Sequence, residues 1–346
     1  MGHLLAAAAR VPQRRQWVIV LTCLVAGLGK AWAAEGPSRI EESRFVPIGG
    51  IEQWVTIRGA DKRNPVLLFL HGGPGDTQSQ FIKTYEPLER DFVLVHWDQR
   101  AAGKTRARAT EQPPSASLEL LTHDGIELAE YLRTYLKAKN LVLVGHSWGS
   151  FLGVHIVMQR PDLFRAFIGT GQVVSVSDIV NDQYHYTLER ARQTRNLEAV
   201  TELEALGVPA FDQMDKYLKM RRWLNTFLAP SDAQWIAAQE AMVQEALNAD
   251  DRKAYWEGFL TMTGLASTVM AMDLRPLGYR FELPFFIIQG SDDHITPTGL
   301  AANYFQRIQA PVKHMITIEG AGHFAAMTHT DKFAVAVRSL LQRVSP

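Results

Sequence analysis

The chain has 346 residues, 47% of them apolar and 21% charged, which suits one large globular core or a core with a smaller second domain and excludes a disordered or fibrous protein. Lysine plus arginine equals aspartate plus glutamate at 36 each, with no long run of either sign. No electrostatic footprint for nucleic acid follows from that balance.

The first 33 residues read apart from the rest. Arg10, Arg14 and Arg15 precede the apolar run Trp17 to Gly29, and Ala31-Trp32-Ala33 follows with small residues at cleavage-type positions, the layout of a secretory signal peptide. The run is shorter than the roughly 20 residues a membrane helix needs. The Arg14-Arg15 pair is only a weak hint of twin-arginine export. Cleavage after Ala33 removes four basic residues and no acidic one, leaving 32 against 36 and a formal charge of −4. It also removes Cys23, the single cysteine, so the mature chain has no disulfide and no thiolate chemistry. The expectation is an exported protein, periplasmic or secreted, with no stable membrane span.

From there the elements come in regular order. Phe45 to Ile48 and Ile51 to Ile57 flank Gly49-Gly50, a two-residue hairpin signal. Short apolar strands are predicted at Pro65 to Leu70, Phe92 to Trp97, Leu141 to Val144, Phe164 to Ile168, Pro284 to Ile288 and His314 to Ile318. Amphipathic helical text lies between them, as at Leu118 to Leu136, and closes the chain from Thr330 to Val344. Alternating strands and helices imply an α/β protein, its mainly parallel sheet covered on both faces. One interval breaks the alternation. Residues 173–280 contain only helical text, at Tyr186 to Leu206, Asp212 to Phe227, Asp232 to Leu247 and Arg252 to Met262, and are expected to form an inserted helical cap between a first core segment, 34–172, and a second, 281–346.

The chemistry centres on LVLVGHSWGSFLG, Leu141 to Gly153. A buried strand runs into Gly145-His146-Ser147-Trp148-Gly149 and resumes as an apolar helix, the context of a nucleophile elbow, in which the two glycines make room for a strained turn that lifts the serine hydroxyl clear of the sheet. The Trp148 amide, at the helix N-terminus, is placed to bind a developing oxyanion. Such an elbow needs an acid and then a histidine, in that chain order. Strand Phe285 to Ile288 ends in Gln289-Gly290-Ser291-Asp292-Asp293, and the next strand ends in Glu319-Gly320-Ala321-Gly322-His323. The spacing G-x-x-D-x-x-x-P selects Asp293, with Asp292 as the alternative. Val66 to Leu70 runs into His71-Gly72-Gly73-Pro74-Gly75, where Gly73 is by position the second oxyanion donor. That loop lacks the Lys-Ser/Thr of a phosphate-binding P-loop.

HGGPG, then WDQR at Trp97 to Arg100, then GHSWGS, GSDD and GAGH resemble, in that order, the proline iminopeptidase branch of the α/β-hydrolase superfamily. The resemblance covers roughly Phe45 to Ile168 and Phe281 to the C-terminus. It implies an α/β-hydrolase fold, Ser147 as nucleophile, Asp293 and His323 as its partners, Gly73 and Trp148 as oxyanion hole, and a structural role for Asp98 and Arg100. There are departures. Asp76 and Ala101 stand where typical members have glycine. The Trp256-Glu257 pair resembles one whose glutamate holds the substrate's free amino group, which makes Glu257 a candidate substrate-binding residue. However, only 36 positions separate Glu257 from Asp293, and the stretch carrying a further family glutamate is largely missing. The mechanism implied is acyl transfer through an acyl-enzyme, with no metal or organic cofactor. Three readings stand: an amino- or iminopeptidase on small peptides, an esterase or lactonase on small neutral substrates, and a non-catalytic ligand-binding member.

Overall fold

The computed structural model describes residues 38–109, 116–210, 213–261 and 265–344. The signal-type segment and Cys23 lie outside them. Eight strands form one sheet in the order β1-β2-β4-β3-β5-β6-β7-β8. β1 (Ile40–Ile48) and β2 (Ile51–Gly59) make the antiparallel hairpin, and β2 pairs antiparallel with β4 (Val93–Trp97). Gly49 and Gly50 turn the hairpin with φ of 56° and 75°, the left-handed pair that a tight two-residue connection requires. The remaining strands, β3 (Val66–Leu70), β5 (Leu141–His146), β6 (Phe164–Thr170), β7 (Phe285–Gly290) and β8 (Lys313–Ile318), join β4 in parallel.

β3 to β7 are mainly apolar and buried because both of their faces are covered, while β8, at the edge, is largely part-exposed. Successive side chains alternate between two cores. Leu68, Leu70, Leu141, Leu143, Phe285 and Ile287 point into one, and Leu67, Phe69, Val142, Val144, Phe286 and Ile288 into the other. Helices α1 (Glu86–Glu89), α2 (Gly103–Arg108), α3 (Leu118–Tyr135) and α4 (Trp148–Gln159) alternate with the strands up to β6. α3 and α4 cover the first core through Leu121, Leu128, Leu152 and Ile156. After β7 come α11 (Thr298–Arg307), α12 (Ala325–Thr328) and α13 (Thr330–Leu341), the last closing the second core with Phe333, Val337 and Leu340.

The strand-free interval holds α5 (Val176–Gln193), α6 (Leu197–Leu206), α7 (Met214–Asn225), α8 (Pro230–Ala246), α9 (Ala249–Thr261) and α10 (Ala266–Met270). The continuous helix predicted over Tyr186 to Leu206 is two helices. Arg195 turns left-handed at φ 56°, and the Asn196 side chain then caps α6 by accepting from Ala199 N at 3.1 Å, a local bond that competes with continued helix. Among the described residues, no helix is long and apolar enough to cross a membrane.

Parallel order has one consequence for chemistry. The loops after β3, β4, β5, β6, β7 and β8 all leave at one edge of the sheet, where open α/β sheets build their sites.

Candidate active site

Ser147 sits between β5 and α4 at φ 52°, ψ −122°, a conformation rarely held by a residue with a side chain. Neighbouring glycines permit it: a Cβ on Gly145 would lie 2.3 Å from Gly149 O, and one on Gly149 would lie 2.2 Å from Leu70 O. Ser147 N donates to Thr170 O at 2.9 Å, while Ser150 N and Oγ donate to Ser147 O at 2.8 and 2.6 Å. From Leu141 to Ser150 every residue is buried except Ser147. The elbow therefore puts one hydroxyl into reach.

The predicted acid and base meet behind it. Asp293, just past β7, accepts from His323 Nδ1 at 3.0 Å through Oδ2, an oxygen that also accepts from Thr296 Oγ1 at 2.9 Å and Gln289 Nε2 at 2.8 Å. Its Oδ1 takes the Ile295 and Thr296 amides at 2.9 and 2.8 Å. These bonds fix the carboxylate's orientation and hold the hydrogen of the imidazole on Nδ1, which leaves Nε2 as the basic nitrogen. Asp292 is exposed. The ring of His323 is buried against β6: a Cβ on Gly171, the residue after Thr170, would lie 2.7 Å from Cε1. Because Thr170 also holds Ser147 N, the end of β6 registers serine and histidine together.

One side chain, Gln99, ties the elbow to the loop after β3. Trp148, first residue of α4, donates its indole Nε1 to Gln99 Oε1 at 3.0 Å, and Gln99 Nε2 reaches His71 O at 3.3 Å. His71 in turn accepts Gln99 N on Nε2 at 3.1 Å and donates Nδ1 to Gly72 O at 2.8 Å. Burial pushes the His71 pKa down to about 4, which keeps the ring neutral and able to accept. Gly73 has φ 104° and is exposed, and a Cβ on Gly72 would lie 3.3 Å from Ser147 Cβ. Below them Arg100 grips the buried Asp124 through Nε and Nη2 at 2.8 and 2.9 Å, and Asp98 accepts Ser79 Oγ and Lys104 N at 2.7 and 2.9 Å. WDQR is thus a brace under the site.

A family model for the α/β-hydrolase fold matches residues 65–330. The chain belongs to the α/β-hydrolase family. The probable aminopeptidase YbaC of Bacillus subtilis is 28% identical over 83% of this chain and 92% of its own. The proline iminopeptidase of Lactobacillus helveticus is 22% identical over 86% and 97%. Among solved structures, a proline iminopeptidase-related protein from Thermus thermophilus superposes with a TM-score of 0.64 at 20% identity, covering 88% of this chain and 98% of that one.

In this α/β hydrolase the inserted helices contribute groups that the sequence did not single out. Asp232, in the first turn of α8 and buried, accepts His323 N on Oδ2 at 2.6 Å and Phe324 N on Oδ1 at 3.1 Å. Gly322 leaves it room, since a Cβ there would lie 2.1 Å from Asp232 Oδ2. Burial raises the pKa of Asp232, against the pull of His323 and the two amides. From sequence alone, an acid at a helix start reads as a local dipole partner. Tyr255 of α9 donates to Asp76 Oδ1 at 2.8 Å, just beyond the HGGPG loop. Glu257, also on α9, is half-exposed, with Oε2 3.0 Å from Arg106 Nη2 of α2 and Oε1 3.9 Å from Lys253 Nζ. Among the described residues no cluster of three or more His, Cys, Asp or Glu is poised to hold a metal ion.

Proposed function

We propose that this α/β hydrolase is a serine hydrolase acting through an acyl-enzyme on Ser147, and that it releases N-terminal residues from small peptides in the manner of a proline iminopeptidase. The observation that carries the reading is the Asp293–His323 pair, at 3.0 Å, set at the same sheet edge as the strained Ser147 elbow. Ser147 Oγ attacks the substrate carbonyl carbon while its proton passes to His323 Nε2. Asp293 orients the imidazole and stabilises its cation, and the Gly73 and Trp148 amides bind the oxyanion. Collapse of the intermediate breaks the bond to the leaving amine, which takes the proton from His323. Water, deprotonated by the same nitrogen, then hydrolyses the acyl-enzyme and restores the serine. The names of the relatives from Bacillus subtilis and Lactobacillus helveticus support peptide substrates.

A second reading, an esterase or lactonase on small neutral substrates, is favoured by the commitment of Glu257 to Arg106, which removes the anion that the resemblance offers to a substrate amine. Side-by-side assay of L-prolyl 4-nitroanilide and short-chain 4-nitrophenyl esters decides between them. The peptidase reading expects turnover of the anilide, and a protein that cleaves only the esters contradicts it. The signal-type segment supports export, with the mature protein starting at Ala34; an intact Met1 terminus on cytoplasmic protein contradicts that.

A further inference from the structure

We propose that Asp76 is an anionic subsite beside the oxyanion loop that binds the free ammonium group of the substrate's N-terminal residue. The inference rests on the aminopeptidase reading and gives that activity its cation-binding group in this chain. Between Leu70 and Gln78 all residues are buried except Gly73, which is exposed, and Asp76, which is partly so. The loop therefore exposes two points, and they are adjacent. A bridge between Gly72 and Asp76 folds it back on itself, so that a Cβ on Gly73 would lie 3.3 Å from Asp76 Cβ. A carbonyl oxygen held at Gly73 thus has the Asp76 side chain next to it. In an N-terminal residue the amine and the scissile carbonyl share one α-carbon, which is the separation these two groups can serve together.

The charge state of Asp76 is what makes it a ligand. Tyr255 holds Oδ1 at 2.8 Å, and among the described residues no donor reaches Oδ2 and no lysine or arginine pairs with the carboxylate. The groups that face it are Tyr255 from α9, Tyr85 from the 3-10 turn Ser79–Tyr85, and His323 from the loop after β8. Burial pushes the Asp76 pKa up to about 6, with the Tyr255 hydrogen bond and His323 pulling the other way. At neutral pH it is mostly ionised, partly exposed and without a lysine or arginine partner among the described residues, so a bound cation can pair with it. Glu257, by contrast, already has Arg106.

The test compares the full chain with Asp76→Asn and Tyr255→Phe on L-prolyl 4-nitroanilide and on a neutral short-chain 4-nitrophenyl ester. A charge-assisted hydrogen bond to an ammonium sets the expected loss for Asp76→Asn at roughly 10- to 100-fold in kcat/KM on the anilide, carried by KM, with the ester within about twofold. The ratio of the two substrates cancels any ionisation that both reactions share. In the parent protein that ratio should fall as pH drops through about 6, where Asp76 protonates, and it should be flat in Asp76→Asn. Tyr255→Phe keeps the charge but loses its orienting donor, so the fall moves to higher pH. An equal loss on both substrates means that Asp76 acts on the His323 cation and overturns the inference. If the parent prefers the free amine and Asp76→Asn does too, the subsite lies elsewhere and the inference fails alone. If the parent shows no turnover of free-amine substrates, it falls together with the peptidase reading.

Discussion

Asp232→Ala tests whether the inserted helices hold His323 in place. The carboxylate accepts two backbone amides of the histidine loop, at 2.6 and 3.1 Å, in a spot where Asp232 is fully buried. Removing it strands a buried N–H on His323 and a part-buried one on Phe324, each costing about 1–3 kcal/mol if water does not replace the acceptor. The docked loop then loses about 2–6 kcal/mol against undocked alternatives. Since each 1.36 kcal/mol is tenfold, kcat/KM on any good substrate should drop at least about 30-fold. Stability should move less, because the same change relieves the burial that raises the Asp232 pKa. Asp232→Asn keeps one acceptor oxygen and turns an NH₂ towards the other amide, so it should fall in between. The assay is kcat/KM beside thermal unfolding for the parent and both variants. An Asp232→Ala protein within twofold of the parent activity refutes the argument.

Asp293→Asn should lower turnover by orders of magnitude, on the order of 10⁴ in the best-studied triad, while Asp292→Asn, at an exposed position, should stay within a few-fold; steady-state kinetics on one substrate ranks them. Acid should destabilise the fold through buried imidazoles. His96 has no hydrogen-bond partner for either ring nitrogen among the described residues, and burial pushes its pKa down to about 3. The unfolded chain therefore takes up a proton near pH 6.5 that the folded chain refuses, and stability is lost as pH falls below 6.5, by about 2 kcal/mol at pH 5 from this residue alone. His96→Phe, which preserves the stack on Phe69 at 4.8 Å, should recover that amount at pH 5 and little at pH 8 in denaturant titrations. Equal gains at both pH values would place the effect in packing.

The eight strands are legible because their central residues form apolar runs or alternations bounded by glycine, proline or charge, and a doubly covered parallel sheet requires such runs. β1 begins five residues earlier than its apolar text, at Ile40, where Ile40 reaches the first core and Glu41 pairs with Arg58 of β2 at 2.7 Å. α2, Gly103–Arg108, carries no apolar period and was invisible. Ser147, Asp293 and His323 could be read because each sits on a short motif at a strand end, where local sequence and chain order carry the signal. Asp232, Tyr255 and Gln99 could not, for their partners His323, Asp76 and Trp148 are 91, 179 and 49 positions away, and no local pattern encodes such pairings. Asp76 was visible only as a departure from glycine.

The proposed role of Ser147, a nucleophile activated by His323, is tested most directly by covalent labelling. The purified chain is treated with a fluorophosphonate, and intact mass is followed by peptide mapping, beside Ser147→Ala and His323→Ala. One adduct per chain on Ser147, absent in Ser147→Ala and much slowed in His323→Ala, is the expected result. No adduct on the folded protein, or an adduct that persists in Ser147→Ala, would contradict the account.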